Sequence, residues 1–357
     1  MTTYEEYRRA LEQDGFVVCR NIIPAEVCEE ARLELAAWHD RTEAACAERG
    51  FFPPSEFSHG IVKGFGSTQQ PACWKLRCHA EVRRLFAACY GLDPALETDN
   101  STQLLSSMDT HAWEASRSRS RQAFRKFGNE KERIATVDWT HSDQGIAHTR
   151  ELCIQGSVPL LDMPSDGITF MAMRGSHKAH SRIFRNANKS DGDFLMLRKQ
   201  HRHDGQLLSD QDISDLRTVF PPVRVSASVG DVVLWDSRVL HRNVTELNED
   251  SWKPRAVFFV SMQPYFAPES AQALQRTGVR RKKHFLRRID HYIKKRTASH
   301  NVYRERVDQV SPHFREKPET AMPEELVRGL LTPMPVPAPD MVKFLIAGPE
   351  FGKSVSF

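Results

Sequence analysis

The sequence predicts a mainly β protein, a sandwich or barrel-like double sheet with flanking helices, and three observations carry that prediction. Between Ile134 and Pro264 short apolar runs alternate with turns: "IATVDWTHSD", "LCIQGSVPLLD", "GITFMAMRGSH", "VRVSASVGDVVLWD" and "RAVFFVSMQP". Several short strands at this spacing indicate a sandwich or a barrel-like double sheet. The N-terminal part instead repeats its apolar residues at helical spacing. The composition, 40% hydrophobic and 27% charged over 357 residues, is that of an ordinary globular chain, long enough for one large domain with additions or for two.

Tyr4 to Gln13 reads as a short helix stopped at "DG", and Phe16 to Ile23, "FVVCRNII", as an apolar, β-branched strand. Pro24 suits the first turn of the next helix, in which Val27, Ala31, Leu35 and Trp38 recur at helical spacing and Gly50 supplies the stop. The Pro-, Gly- and Ser-rich stretch from Phe51 to Gln70 reads as a loop, followed by a helix near Ala80 to Tyr90. "SRSRSRQAFRKFGNEKER", Ser116 to Arg133, lacks either period and reads as an exposed excursion between strands. The resulting organisation is a helical and strand buttress over residues 1–100, a core over 101–268, and a basic helical segment with a proline-rich tail over 269–357.

The formal charge of +4 is unevenly placed: Arg276 to Arg296 holds ten Lys and Arg against Asp290, so this segment carries +9 and the remainder −5. Phe285, Ile289, Tyr292 and Ile293 form an apolar stripe within it, which predicts a helix docked on the core with a solvated basic face. The seven cysteines form no CxxC pair and read as reduced thiols. No window has the apolar length of a membrane span, and the charged, helical start is not a secretion signal. "SVSF" at the end is neither a peroxisomal nor a prenylation signal. The expected location is the cytoplasm.

If "TVDWTHSD" is a strand, Trp139, His141 and Asp143 project from one face, because strand side chains alternate. That face offers an imidazole and a carboxylate to one ion, and "VGDVVLWDSRVLHRN" offers His241 just after an apolar strand. Two histidines and a carboxylate on one side of a metal form the facial triad of non-heme iron(II) oxygenases, with positions open for a chelating cosubstrate and dioxygen. A His-x-Asp pair alone is weak evidence, since His177 with His180, or His201 with His203 in "HRHDG", pair as readily. "HRHDG" is polar on all sides and reads as a solvated loop, while for His177 and His180 surface placement or a hydrogen bond is the plain expectation. His141, Asp143 and His241 stand apart because they lie near the ends of apolar strands, which can hold them rigidly. Arg255 then opens "RAVFFVSM", where an inward guanidinium can grip a distal carboxylate through two parallel hydrogen bonds; the plain alternative is a surface arginine at a strand end. Trp139 and Trp235 either shape the substrate pocket or pack as ordinary core.

With these residues in place, the chain resembles the phytanoyl-CoA dioxygenase family of iron(II)- and 2-oxoglutarate-dependent oxygenases. "LEQDGFVVCRNIIPAEVCEEARLEL" is similar to the family's opening helix, strand and helix, and "WTHSD" to its tryptophan-led metal motif. "SDGITFMAMRGSHK" is similar to its central turn, and "GDVVLWDSRVLHRN" to the strand ending in the distal histidine. The likeness runs to about Pro264. It implies a double-stranded β-helix core, jelly-roll and cupin-like, with His141, Asp143 and His241 as iron ligands and Arg255 on the far carboxylate of 2-oxoglutarate. Arg174 stands where the family commonly has proline, "IQGSVPLLDM" replaces a tryptophan-containing strand, and "TELNEDSWK" lengthens the gap from His241 to Arg255. Arg242 and Arg238 are therefore kept as the other arginines for the cosubstrate.

The resemblance implies an Fe(II)/2-oxoglutarate-dependent dioxygenase that uses O2 to hydroxylate, or otherwise oxidise, an unactivated C–H bond of a small organic substrate, releasing succinate and CO2. Related iron halogenases carry a small residue in place of the carboxylate ligand; Asp143 is present, so oxygen insertion, desaturation or ring closure is expected and chlorination is not. The rival reading is a non-catalytic double-stranded β-helix protein that binds a ligand or nucleic acid through the basic segment. Neither a nucleic-acid partner nor a membrane is expected.

Overall fold

The computed structural model describes residues 2–49, 60–62, 66–99, 101–114, 138–146, 153–187, 195–199, 207–244 and 253–265, with residues 286–290, 292, 341–342 and 345–346. Thr3 opens α1 (Tyr4–Asp14) with a capping box to Glu6, and Gly15, at φ 84°, closes it by donating its N–H to Leu11 O at 2.9 Å. β1 (Phe16–Cys19), α2 (Ala25–Arg49), α3 (Pro71–Cys78) and α4 (Ala80–Cys89) follow. α3 was not expected from the sequence: it falls directly after the predicted loop, with Pro71 in its first turn. Within that loop, the described residues include a two-residue strand, β2 (Ile61–Val62).

The remaining strands are β3 (Leu104–Ser106), β4 (His111–Glu114), β5 (His141–Ser142), β6 (Ile154–Pro159), β7 (Phe170–Met173), β8 (Leu195–Met196), β9 (Pro222–Arg224), β10 (Val232–Asp236), β11 (His241–Asn243) and β12 (Arg255–Pro264). One sheet has the order β1-β10-β6-β12-β4-β2, with β3 also on β12; the other has the order β8-β5-β11-β7-β9. From β4 onward the chain crosses between the sheets at nearly every connection. β4, β6, β10 and β12 lie in the larger sheet, and β5, β7, β9 and β11 in the smaller. All pairings are antiparallel, and this winding is that of a double-stranded β-helix.

"VRVSASVGDVVLWD", read as one run, is two strands in different sheets, β9 and β10. Gly230, at φ 91°, turns the chain between them, and Asp231 accepts the Ser228 N–H at 2.9 Å. "IATVDWTHSD" was expected as a strand through Asp143. Among its described residues only His141 and Ser142 join the ladder, and Asp143 lies in the bend beyond, its N–H donated to Ser237 O at 3.0 Å.

Alternation along the strands sorts the core into layers. Ile154 and Val158 of β6, Leu234 of β10, and Ala256, Phe258, Val260 and Met262 of β12 face outward. They pack against Leu11 of α1, Ala31 and Leu35 of α2, and Leu85 and Phe86 of α4. Phe16, Phe170, Ala172, Val233, Trp235 and Val257 fill the space between the sheets. Outside the smaller sheet, Met173, Leu195 and Leu240 pack with Phe184 beside α5 (His180–Ile183) and with Ile213 of α6 (Asp210–Val219). A further cluster joins Trp74 and Met108 to Ile289, Tyr292, Met341, Val342, Leu345 and Ile346. The seven cysteines form no disulfide, and burial raises the thiols of Cys28 and Cys46 to about 11. Among the described residues no helix is long and apolar enough to cross a membrane.

Candidate metal centre

β11 lies between β5 and β7, and its pairing with β5 sets His241 opposite His141. The tight turn after β10, closed by Val239 N–H to Asp236 O at 2.9 Å, places His241 at the start of a strand of its own rather than after the end of β10. Asp143 comes back over the pair from the bend after β5: its Oδ1 is 3.4 Å from His141 Nε2 and its Oδ2 is 3.4 Å from His241 Nε2. One ligand atom from each of the three lies within 4.8 Å of the others, and among the described residues they are the group of that kind.

The imidazoles are oriented from behind. His141 Nδ1–H donates to Trp139 O at 2.8 Å, and His241 Nδ1–H to Val239 O at 3.0 Å. A nitrogen facing a carbonyl must carry the proton, so each Nε2 is left as a lone pair facing Asp143. Burial, followed by the neighbouring His241, lowers the pKa of His141 despite the opposing pull of Asp143. Neutral imidazoles with one carboxylate suit a divalent first-row metal, so the donor set fits iron(II).

Gln155 on β6 donates its amide N–H to Asp143 Oδ2 at 3.1 Å, and its oxygen accepts the Trp235 indole N–H at 2.6 Å. Trp139, half-buried, stacks on the His141 ring at a centroid distance of 4.7 Å and donates its indole N–H to Asn243 O at 3.1 Å. Trp235 and Phe170 lie against His241, at centroid distances of 5.7 Å and 5.5 Å. Both tryptophans therefore border the centre, and Trp235 also packs in the core between the sheets.

Arg255 points inward at the start of β12, 3% exposed, and donates Nη2–H to Asn243 Oδ1 at 2.8 Å. Its Nε and Nη1 are buried with no hydrogen-bond partner, which leaves the guanidinium open to an acceptor such as a carboxylate. The other two arginines are engaged elsewhere. Arg238 forks onto Asp236, and Arg242 projects to the opposite face of β11 with Nε 3.9 Å from Asp138 Oδ1. Asp138 also accepts from Arg217 at 2.8 Å and Arg198 at 3.1 Å, which ties the outer side of the smaller sheet to α6.

His177 and His180 are buried and stand apart from the centre, each donating Nε2–H to a backbone carbonyl, Glu12 O at 3.1 Å and Gln144 O at 2.8 Å. His201 and His203 lie outside the described residues, as do most of the Ser116–Arg133 excursion's neighbours and the excursion itself. Of the basic segment's apolar stripe, Ile289 and Tyr292 are buried, as is Arg288, which donates to Ile346 O at 2.5 Å; Phe285 and Ile293 lie outside the described residues. Sequence reading missed Gln155 and Asn243. The signal for each was a polar residue on an otherwise apolar or ligand-bearing strand.

The family model for phytanoyl-CoA dioxygenase matches residues 11–251. No curated protein matches the chain in sequence. Among solved structures, the chain is similar to the epimerase SnoN in complex with Fe3+, alpha ketoglutarate and nogalamycin RO, at 14% identity and a TM-score of 0.44, over 73% of this chain and 83% of that one. It is similar also to AviO1 from Streptomyces viridochromogenes Tue57, at 14% identity and a TM-score of 0.42, over 74% of this chain and 97% of that one. EctD from S. alaskensis with 2-oxoglutarate and 5-hydroxyectoine is similar at 14% identity and a TM-score of 0.43, over 74% of this chain and 76% of that one.

Proposed function

Because this chain belongs to the phytanoyl-CoA dioxygenase family, we propose that it is an iron(II)- and 2-oxoglutarate-dependent hydroxylase of a small organic substrate. Its reaction oxidises an unactivated C–H bond and releases succinate and CO2. The observation that carries this reading is the convergence of His141, Asp143 and His241, with both Nε2 lone pairs turned toward the carboxylate, in the same interior as an unsatisfied Arg255. When bound, iron and 2-oxoglutarate supply the activation of dioxygen coupled to decarboxylation of the cosubstrate.

The chain's own part is positional. Trp139 O and Val239 O fix the ring orientation of the two histidines, and Gln155 fixes the carboxylate. Arg255 holds the far carboxylate of 2-oxoglutarate, with Asn243 holding the guanidinium. Phe170, Val233, Trp235 and Val257 exclude water from the space between the sheets, and Trp139 and Trp235 wall the substrate pocket. Seven thiols outside any disulfide support placement in the cytoplasm. The buried placement of Arg288, Ile289 and Tyr292 supports a packing role for the basic segment rather than a nucleic-acid surface.

Anaerobic purification with Fe(II), followed by a metabolite screen for substrate-stimulated succinate release, tests the reading. One iron per chain is expected, and His141→Ala and His241→Ala should each lose both iron and succinate formation. Undiminished iron in both variants would remove the ligand assignment.

A further inference from the structure

The interior of the barrel holds a charged group that the triad and Arg255 do not account for. Glu114 ends β4, and its partner across the ladder to β12 is Arg255. Directly opposed residues on paired strands project to the same face, here the inner face, which Val257 shares. Gly60, at φ 65°, lies against the Glu114 side chain, and a Cβ at that position would stand 2.4 Å from Glu114 Cγ. The carboxyl group thus occupies room that any other residue at position 60 closes.

Glu114 Oε2 is buried with no hydrogen-bond partner, and across the ladder Arg255 Nε and Nη1 are in the same condition. Two opposed ionisable groups on adjacent strands, each with buried unsatisfied atoms, mark a place for a third group between them. Val257, the next inward residue on β12, has no polar side-chain atom to offer. A carboxylate satisfies the guanidinium with one oxygen edge, and its other lone pairs are open to a donor. Glu114 becomes that donor when it carries its proton.

We propose that Glu114 completes the cosubstrate site, its carboxyl O–H donating a hydrogen bond to the distal carboxylate of 2-oxoglutarate beside the guanidinium of Arg255. This rests on the reading of the chain as a 2-oxoglutarate-dependent oxygenase. Burial raises the Glu114 carboxyl above its ordinary value, against the lowering effect of Arg255. Arg255 on β12 is the charged group acting on it among the described residues, and Gly60, directly before β2, lies against it without a side chain. A second carboxylate arriving beside it raises it further, as in paired carboxyl groups that share one proton. Cosubstrate binding therefore takes up a proton. Affinity is highest below the value of Glu114 in the free enzyme, and falls by up to about tenfold per pH unit until its value in the complex is passed.

Calorimetric titration of 2-oxoglutarate into the anaerobic, Fe(II)-loaded enzyme, repeated across pH and in buffers of different ionisation enthalpy, tests this. The unmodified protein should take up a proton and weaken with rising pH. Glu114→Gln, whose amide donates at every pH, should bind as tightly at the acid end, take up no proton and show a flat profile. Glu114→Ala should bind about ten- to a hundredfold more weakly at the acid end, also with a flat profile. Iron stoichiometry should be unchanged in both, and if Glu114→Ala does not fold, Glu114→Gln decides. Binding without proton uptake in the unmodified protein, or an unaltered pH profile in Glu114→Gln, overturns the inference. An unmodified protein that binds iron but no 2-oxoglutarate overturns the oxygenase reading instead, a result distinct from the other two.

Discussion

Gln155 reaches Asp143 with its amide nitrogen and holds the Trp235 indole with its oxygen, so a single side chain couples the carboxylate to the packed interior. Asp143 needs that restraint because it stands in a bend beyond β5, whereas the two histidines are held by a strand pair. Gln155→Leu keeps the approximate volume and removes both bonds, leaving the Trp235 N–H buried without a partner. We expect iron affinity to fall about ten- to a hundredfold with the fold retained, which is the usual cost of losing a partner of a ligand. Anaerobic titration with Fe(II) measures it, and affinity equal to the unmodified protein would show that Asp143 is fixed by the bend alone. The ligands themselves were legible because His-x-Asp and the distal histidine are local patterns on apolar strands. Gln155, Asn243 and Glu114 were not, because what gives each its part is a neighbour across the sheet, and a sequence carries no register between strands.

β1 is held at the edge of the larger sheet by pairing with β10, and the chain that follows β1 is pinned by the turn that precedes β10. Ile22 and Ile23 both donate their N–H groups to Gly230 O at 2.9 Å, and Asp231 accepts from Arg20 and from Asn21 N–H. Gly230 can serve there because it lacks a side chain: at φ 91°, a Cβ would lie 2.5 Å from Ile23 O. Gly230→Ala combines left-handed strain of about 1–2 kcal/mol with a clash against backbone that has no rotamer to move. Urea unfolding should show a loss of more than about 2 kcal/mol, and a loss near zero would mean that the turn shifts freely from β1. Helices and long strands are legible in the sequence where a stop or a sustained pattern marks them, as at Gly15 and Arg255–Pro264. α6 was passed over although Ser209 and Asp212 form a capping box, because Ile213 is its one fully buried residue and gives no apolar period. β9 and β10 read as one run because both are short and the turn between them depends on one glycine.

Across the whole molecule the two-sheet architecture was readable from the count and spacing of apolar runs, but the winding of the chain between sheets was implied only by resemblance. Its energetics rest partly on histidines whose burial no sequence pattern announces. Burial lowers His180 to about 4, against the hydrogen bond it donates to Gln144 O, and burial followed by Arg77 lowers His111 to about 3. His79 and His177 are lowered by burial as well. A histidine depressed in the folded state binds a proton more readily when unfolded. Its contribution is therefore intact above the ordinary value of about 6.5 and is lost as pH falls, at up to about 1.4 kcal/mol per pH unit, until the folded value is reached. For His180 that window runs from 6.5 down to about 4. The loss is felt at the centre, because Ser237 Oγ donates to Gln144 Oε1 and Ser237 O accepts the N–H of Asp143. His180→Gln places an amide N–H where Nε2 stood and cannot titrate. It should be less stable than the unmodified protein at pH 8, and the two stabilities should converge as pH falls below 6.5, since only the unmodified protein keeps losing stability at this position. Urea unfolding at a series of pH values measures both curves. Parallel curves would mean that His180 binds its proton as readily in the folded protein as in the unfolded one, and that acid sensitivity arises from the other buried histidines.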